Sequence, residues 1–283
     1  MIVAHTIDIV REAVSEARSR GLTIGLVPTM GALHAGHISL IRSARQETGF
    51  VVVSIFVNPI QFGPTEDLER YPRPLTQDLQ VCEEHKVDLV FMPEAGAMYP
   101  RAFRTAVEVQ ELQDLLCGAS RPGHFRGVAT VVMKLFNIVQ PDTAYFGQKD
   151  AQQARIIRQM IEDLNVPIRL RVCQIVREPD GLALSSRNQY LSTAQRESAG
   201  VLYQTLEEVR KRVEKGERDA RVLQEILASR IAATPGALLD YAAVVDAGTL
   251  KPLTRLKGEV LVALAVKFGT TRLIDNILLS VDD

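Results

Sequence analysis

Cysteine is scarce in this chain, with three among 283 residues. Cys82, Cys117 and Cys173 are odd in number and far apart, and none forms a Cys-x-x-Cys pair. That excludes a disulfide framework and a metal knuckle and fits a reducing compartment. An excess of charge of one sign is also missing: 33 Lys plus Arg stand against 34 Asp plus Glu, a formal net charge of −1. Proteins that live on non-specific nucleic-acid affinity carry a basic surplus, so no nucleic-acid partner is expected. Long apolar runs are absent too. Phe50–Val57 and Val260–Phe268 fall far short of the roughly 20 residues that span a membrane. Asp8, Arg11 and Glu12 interrupt the beginning of the chain before a secretory h-region can form. The expectation is a cytoplasmic protein with no membrane partner.

What is present is ordinary globular material, 46% hydrophobic and 24% charged. A chain this apolar can bury a sizeable core, and its length suits about two domains. Val10, Ala13, Val14 and Ala17 recur at helical spacing and Gly21 closes the helix. Short apolar runs then alternate with helical stretches: Leu22–Val27, a helix from Gly36 to Gln46, Phe50–Val57, a helix over Leu75–His85, and Val87–Met92. The alternation continues through helical Gly127–Val139, Thr143–Phe146, helical Ala151–Leu164 and Ile168–Val176. Continuously apolar strands alternating with helices predict an α/β fold, a Rossmann-like doubly wound parallel sheet over residues 1–176. Two charged amphipathic helices, Thr193–Lys215 and Ala220–Ala232, precede strands at Leu239–Asp246, Val260–Phe268 and Thr271–Leu279. They predict a smaller C-terminal α+β domain over 177–283, entered through the Pro179-Asp180-Gly181 turn.

In open α/β sheets, ligands bind beyond the carboxyl ends of the strands, and the unusual residues collect there. Pro28–His37 follows the first apolar run. His34 and His37 are three apart, which puts both on one face of a helical first turn. The glycines permit close backbone approach, and a helix N-terminus offers unpaired N–H groups and positive potential to an anion. Neither the Walker nor the dinucleotide glycine pattern is present. Helix capping and metal ligation are the competing readings of the two histidines. A zinc site lacks a third ligand at a familiar spacing, and the metal ligands stay unknown.

Gly147-Gln148-Lys149-Asp150 is a second strand end, with Lys149 a point charge for phosphate. Asp150 reads equally as a helix cap or as an aid to magnesium. Gln152 and Gln153 follow; an amide on a site-facing turn can read a hydroxyl and a carboxylate together. Leu182-Ala183-Leu184-Ser185-Ser186-Arg187-Asn188 reads as a phosphate clamp closing over the site, or as a plain interdomain linker. Asn58-Pro59-Ile60-Gln61-Phe62 offers two amides beside an aromatic wall. The Arg121–Gly127 loop carries three basic side chains, and Arg121 is expected to join the cations around a triphosphate.

The His-x-x-His segment after a strand resembles the nucleotide-binding signature of the nucleotidylyltransferase superfamily. Taken with Val53–Pro59, Gln61-Phe62, Tyr71-Pro72-Arg73, Arg121–Gly127, Phe146–Gln153, Ile156-Ile157-Arg158 and Arg177–Asn188, the chain resembles the pantothenate synthetase (pantoate–beta-alanine ligase) family. That resemblance implies condensation of pantoate with beta-alanine, with ATP as co-substrate and Mg2+ as cofactor. It also implies release of AMP and pyrophosphate through a pantoyl-adenylate, and a homodimer. By matching position, Met30, Gly31, Ala32, Leu33, His34, Ala35, Gly36 and His37 would hold ATP. Gly147, Gln148, Lys149, Asp150, Val176, Leu184, Ser185, Ser186 and Arg187 would complete that site. His37, His34, Lys149 and Arg187 would carry the catalysis, with His37 in the slot of a proton donor. Gln61, Gln153 and Asn58 would face the substrates.

The residue chemistry suits such a reaction: adenylation needs positioning and charge stabilisation more than a protein nucleophile. A permanent nucleotidyl transfer, a non-catalytic nucleotide sensor and an RNA-charging ligase are the alternatives. They differ in the fate of AMP and in the need for a nucleic-acid surface.

Overall fold

The computed structural model describes residues 1–64 and 66–282, and the chain forms two compact units. The first comprises Met1–Gln113, Arg121–Gly147 and Ile156–Gln174. It opens with strand β1 (Ile2–Ala4) and helix α1 (Ile7–Ser19). Thr6 caps α1 by accepting the Ile9 N–H, and Val10, Ala13, Val14 and Ala17 form its buried face. There follow β2 (Ile24–Thr29), α2 (Ala35–Glu47), β3 (Phe50–Ile55), α3 (Leu75–Glu84) and β4 (Leu89–Phe91). Two one-turn helices, α4 (Ala95–Met98) and α5 (Cys117–Ser120), the latter in the other unit, precede the long α6 (His124–Val139). The unit is completed by β5 (Thr143–Gly147), most of α7 (Ala151–Asp163) and β6 (Arg169–Cys173).

All six strands pair in parallel, in the order β1-β4-β3-β2-β5-β6. From β2 the chain builds outward through β3 and β4 on one side and through β5 and β6 on the other. The carboxyl ends of β2 and β5 therefore flank the topological switch point, where such sheets bind ligands. Val51, Val52, Val53, Leu89, Val90 and Phe91 are completely buried, which explains why the central strands read as unbroken apolar runs. β6 is an edge strand and behaves as one. Its Arg169 and Arg171 reach Glu47 at 3.2 and 3.4 Å, and charge on an edge discourages pairing with other chains. β1, with three residues, carries too little pattern to be read from sequence.

The second unit comprises Asp114–Ser120, Gln148–Arg155 and the chain from Ile175 onward. It thus gathers two earlier segments besides the region beyond the expected cut at 176/177. Helices α8 (Thr193–Ala199), α9 (Val201–Glu214) and α10 (Ala220–Ala232) accompany an antiparallel sheet of β7 (Ala237–Asp246), β8 (Gly258–Phe268) and β9 (Thr271–Val281). The single helix expected over Thr193–Lys215 is two, divided at Gly200, with Ser192 and Gln195 forming a capping box for the first. Leu206, Val209, Leu223 and Leu227 pack with Val244, Val260, Val262 and Ile277 into this unit's core. Among the described residues, no helix is long and apolar enough to cross a membrane, and the three cysteines are unpaired.

Candidate active site

The chain leaves β2 at Thr29 and enters α2 at Ala35 through a turn in which Gly31 (φ +85°) and Ala32 (φ +51°) are both left-handed. This pair of conformations turns the Ala32 and Leu33 N–H groups onto opposite oxygens of Asp78, at 2.9 and 2.7 Å. A side chain at position 31 would suffer twice: φ is positive, and its Cβ would sit 2.9 Å from Asp78 Oδ2. The turn is also pinned through Thr29, whose Oγ1 accepts the Gly31 N–H and donates to the Ser54 carbonyl.

His34 is the N-cap of α2. Its Nδ1 accepts the Gly36 N–H at 3.1 Å, while His37 Nδ1 accepts the His34 N–H at 3.3 Å, a capping box built from two imidazoles. Capping and ligand binding are competing readings of these histidines in the sequence, and the structure shows the capping. A ring nitrogen that accepts from the backbone is unprotonated, so the proton of the neutral ring sits on Nε2. Each histidine thereby carries an Nε2–H donor. The ring centroids are 4.1 Å apart, so the two donors belong to one small patch at a helix N-terminus.

Asp78 is 1% exposed, and burial pushes its carboxyl above the ordinary aspartate range against the pull of the Leu33 and Ala32 N–H groups. Because the folded value lies above the unfolded one, its share of stability is present at acidic pH. That share is lost as pH climbs through the raised value. In Asp78→Asn, that decline should vanish from the pH dependence of urea unfolding. At neutral pH the amide sets an N–H against a backbone N–H, and the expected net loss is about 1–3 kcal/mol. An unchanged midpoint with an unchanged pH slope would refute this role.

Gln61 lies on the 3-10 turn Pro59–Gln61 beyond β3 and is buried. Its Oε1 accepts from Asn58 Nδ2 at 2.9 Å, and its Nε2 lies 3.1 Å from Met30 Sδ. Asn58 also donates to the Gly127 carbonyl and accepts from the Tyr99 hydroxyl at 2.7 Å. The protein itself thus occupies the Asn58 amide, whose evident task is to orient Gln61. Gly127 in the first turns of α6 lies against the same turn: a Cβ there would come 2.4 Å from the Ile60 carbonyl oxygen.

Arg121, expected among phosphate-facing cations, is instead paired with Glu66 through two hydrogen bonds of 2.6 Å. A bidentate carboxylate satisfies the guanidinium fork that a phosphate would have used. Burial raises the Glu66 carboxyl, but the hydrogen bonds and charge of Arg121 outweigh it and hold the group below its usual range. His124 links this pair to Gln61: its Nδ1 meets the Gln61 carbonyl at 2.8 Å and its Nε2 meets Arg121 at 3.0 Å.

In the second unit, Gln148, Lys149 and Asp150 form a 3-10 turn before α7. The two adjacent glutamines there separate cleanly. Gln152 is buried and consumed by the Cys117 N–H and the Leu115 carbonyl, whereas Gln153 is half-buried on the same first turn. Val176 accepts the Leu184 N–H across a short hairpin. Ser185 caps the 3-10 turn Ser186–Tyr190 by accepting the Arg187 N–H. Asn188 secures this turn to Glu178 and to the Ala183 carbonyl. Arg196 braces Glu178 and Asp180 at 2.7 and 2.6 Å.

Sequence reasoning passed over Asp78, Glu66, Tyr99 and the Asp275-Asn276 pair of β9. A carboxylate on an otherwise amphipathic helix looks like solvent-facing charge, and nothing local marks Asp78. For Asp275-Asn276 a signal exists: two polar residues between Ile274 and Ile277 interrupt an apolar strand, and both are buried.

Fold and turn together place the chain among α/β proteins that handle ligands where the strands end, at a switch point. A model of the pantoate–beta-alanine ligase family matches residues 2–278. A pantothenate synthetase of Moorella thermoacetica is 56% identical, over 100% of both chains. One from Acetivibrio thermocellus is 52% identical over 99% of this chain and 100% of its own. The crystal structure of pantothenate synthetase from Thermus thermophilus superposes with a TM-score of 0.93 at 45% identity, over 98% of this chain and 99% of that one. The pantoate–beta-alanine ligase from Francisella tularensis, complexed with beta-gamma ATP and beta-alanine, gives a TM-score of 0.78. It is 37% identical over 98% of this chain and 97% of its own. The chain belongs to the pantoate–beta-alanine ligase family, whose reaction is the condensation of pantoate with beta-alanine.

Proposed function

We propose that the chain joins pantoate to beta-alanine at the residues described above, through an adenylated acid. The observation that carries this reading is the imidazole capping box, which fixes both Nε2–H donors of His34 and His37 at a helix N-terminus. Met30–His37 bind ATP phosphates there, while Gly147–Asp150, Val176 and Leu184–Arg187 contribute the remaining nucleotide contacts. The pantoate carboxylate attacks the α-phosphorus in line, and the bond to the β-phosphate oxygen breaks, releasing pyrophosphate. His34, His37, Lys149 and Arg187 stabilise the charge that moves onto it, with His37 placed to donate a proton. Gln61, held by Asn58, and Gln153 orient pantoate. The neutral amine of beta-alanine then attacks the acyl carbon, the acyl C–O bond to AMP breaks, and the proton shed by the nitrogen passes to the departing phosphate or to solvent as the amide forms.

Among the described residues, no cluster of three or more His, Cys, Asp or Glu side chains forms a metal cage. Mg2+ typically arrives on substrate phosphates with one or two protein carboxylates, and Asp150, next to Lys149, would be such a carboxylate. Bound Mg2+ would neutralise phosphate charge. We further place the enzyme in the cytoplasm as a homodimer, a stoichiometry that sedimentation will decide.

The direct test is the product. AMP and pyrophosphate should appear only with pantoate and Mg2+ present, and pantothenate only when beta-alanine is added. ADP as product, or turnover without an acid, would overturn the reading.

A further inference from the structure

The C-terminal strand β9 carries a buried polar pair with no place in the reaction as described so far. Asn276 is 3% exposed, and its single amide group meets the lysine turn completely. Nδ2 donates to the Gln148 carbonyl and to the Lys149 carbonyl, both at 3.0 Å, and Oδ1 accepts from Gln148 Nε2 at 3.3 Å. These two carbonyls belong to a one-turn 3-10 segment, too short to hold itself together by its own ladder. Asn276 is fixed in turn. Its own N–H donates to Asp275 Oδ1 at 2.7 Å, and the Asp275 carboxylate, with a side chain 0% exposed, receives both arms of Arg177 at 2.6 and 2.9 Å. Arg177 stacks over the Tyr203 ring at 4.3 Å and donates to the Gly181 carbonyl, in the turn of the hairpin that leads to Leu184–Arg187.

Burying a carboxylate and an amide in the middle of a strand is costly unless every polar atom is matched, and apolar replacements of similar shape are often at least as stable. Packing alone does not call for these residues. What they supply is specificity of position: one strand pair grips the backbone on either side of the Lys149 Cα and, through Arg177, the hairpin that carries Arg187.

We propose that Asn276, braced by Asp275 and Arg177, is a positioning residue for adenylation, acting through Lys149 rather than on substrate. The proposal rests on the role given to Lys149 above. An amide is suited to the task because it offers two N–H donors to two carbonyls and an acceptor to Gln148, all within one plane.

The test uses Asn276→Ala and the isosteric Asn276→Asp in the full-length enzyme, each alone and with Lys149→Ala. Pantoate-dependent ATP–pyrophosphate exchange follows the first half-reaction, and amide hydrogen exchange follows residues 147–155. Each Asn276 variant should accelerate exchange in that peptide while the buried strands β3 and β4 keep their protection. Each should lower kcat/KM for ATP by about 10–10²-fold, the scale of a misplaced catalytic group, with KM for pantoate little changed. In the Lys149→Ala background the same substitutions should cost less than about threefold, because groups acting as one unit are non-additive. Unaltered exchange at 147–155, or an equal fractional loss in both backgrounds, would overturn the proposal. Should Lys149→Ala prove fully active, the Lys149 assignment and the catalytic half of this proposal fall together. Accelerated exchange in the Asn276 variants would then mark a purely structural clasp.

Discussion

Lys149→Ala is expected to fold normally and to lose adenylation by about 10²–10³-fold, the usual scale for removing one preorganised charge-stabilising group. Alanine keeps the backbone carbonyl that Asn276 holds, so the turn survives the loss of the side chain. What disappears is the point charge proposed to meet phosphate, and Lys149→Arg should recover little, since a planar fork does not reproduce a compact ammonium. The measurement is pantoate-dependent pyrophosphate release with saturating ATP, beside thermal unfolding of the same preparation. Turnover within about threefold of the parent would remove Lys149 from the mechanism. His37→Ala is expected to fall as far, but it is the less clean variant. It also strips the His34 N–H of its acceptor, so lost capping mixes with lost chemistry.

Gly127→Ala should be the most damaging single methyl group in the first unit. Alanine has the better helix propensity, and at an ordinary helical position the exchange gains about 1 kcal/mol. Here the added carbon would lie 2.4 Å from the Ile60 carbonyl oxygen and 2.7 Å from the Gln61 Cα, and both are backbone atoms that cannot rotate aside. Either α6 retreats or the Pro59–Gln61 turn does, and in both cases the bond from Asn58 to the Gly127 carbonyl is lost. Overpacking of this kind costs about 1–3 kcal/mol, which exceeds the propensity gain and sets the sign. Displacing Gln61 by even an ångström should cost about 10²-fold in kcat/KM for pantoate, mainly through a rise in KM. A variant with parental stability and parental KM would show that the helix and the turn yield without consequence.

Much of the architecture was legible because burial on both faces of a parallel sheet leaves strands with no alternation to misread. Val51, Val52 and Val53 announce themselves. β1 stayed hidden because three residues carry no period. The helix division at Gly200 stayed hidden because the amphipathic pattern runs through it. Of the candidate residues, His34, His37, Lys149 and Gln61 were readable as unusual residues beyond strand ends, where ligands bind in such sheets. The groups that hold them were not. Asp78, Glu66 and Asn276 act across 45, 55 and 127 residues of sequence on Leu33, Arg121 and Lys149, and no local pattern encodes a partner so distant. The same blindness explains Arg121: its type suggested a phosphate ligand, and only a contact with Glu66 reveals that its hydrogen-bonding fork is already filled.

The clasp on the lysine turn also bears on the order in which the enzyme is made. The Lys149 carbonyl waits for a donor 127 residues further along, in the last of the described strands to leave the ribosome. A nascent chain can therefore complete β2, β3 and β4 and form the histidine corner while its lysine turn still lacks its anchor. If Asn276 positions Lys149 as proposed, competence in acid activation would have to await the closing of β9.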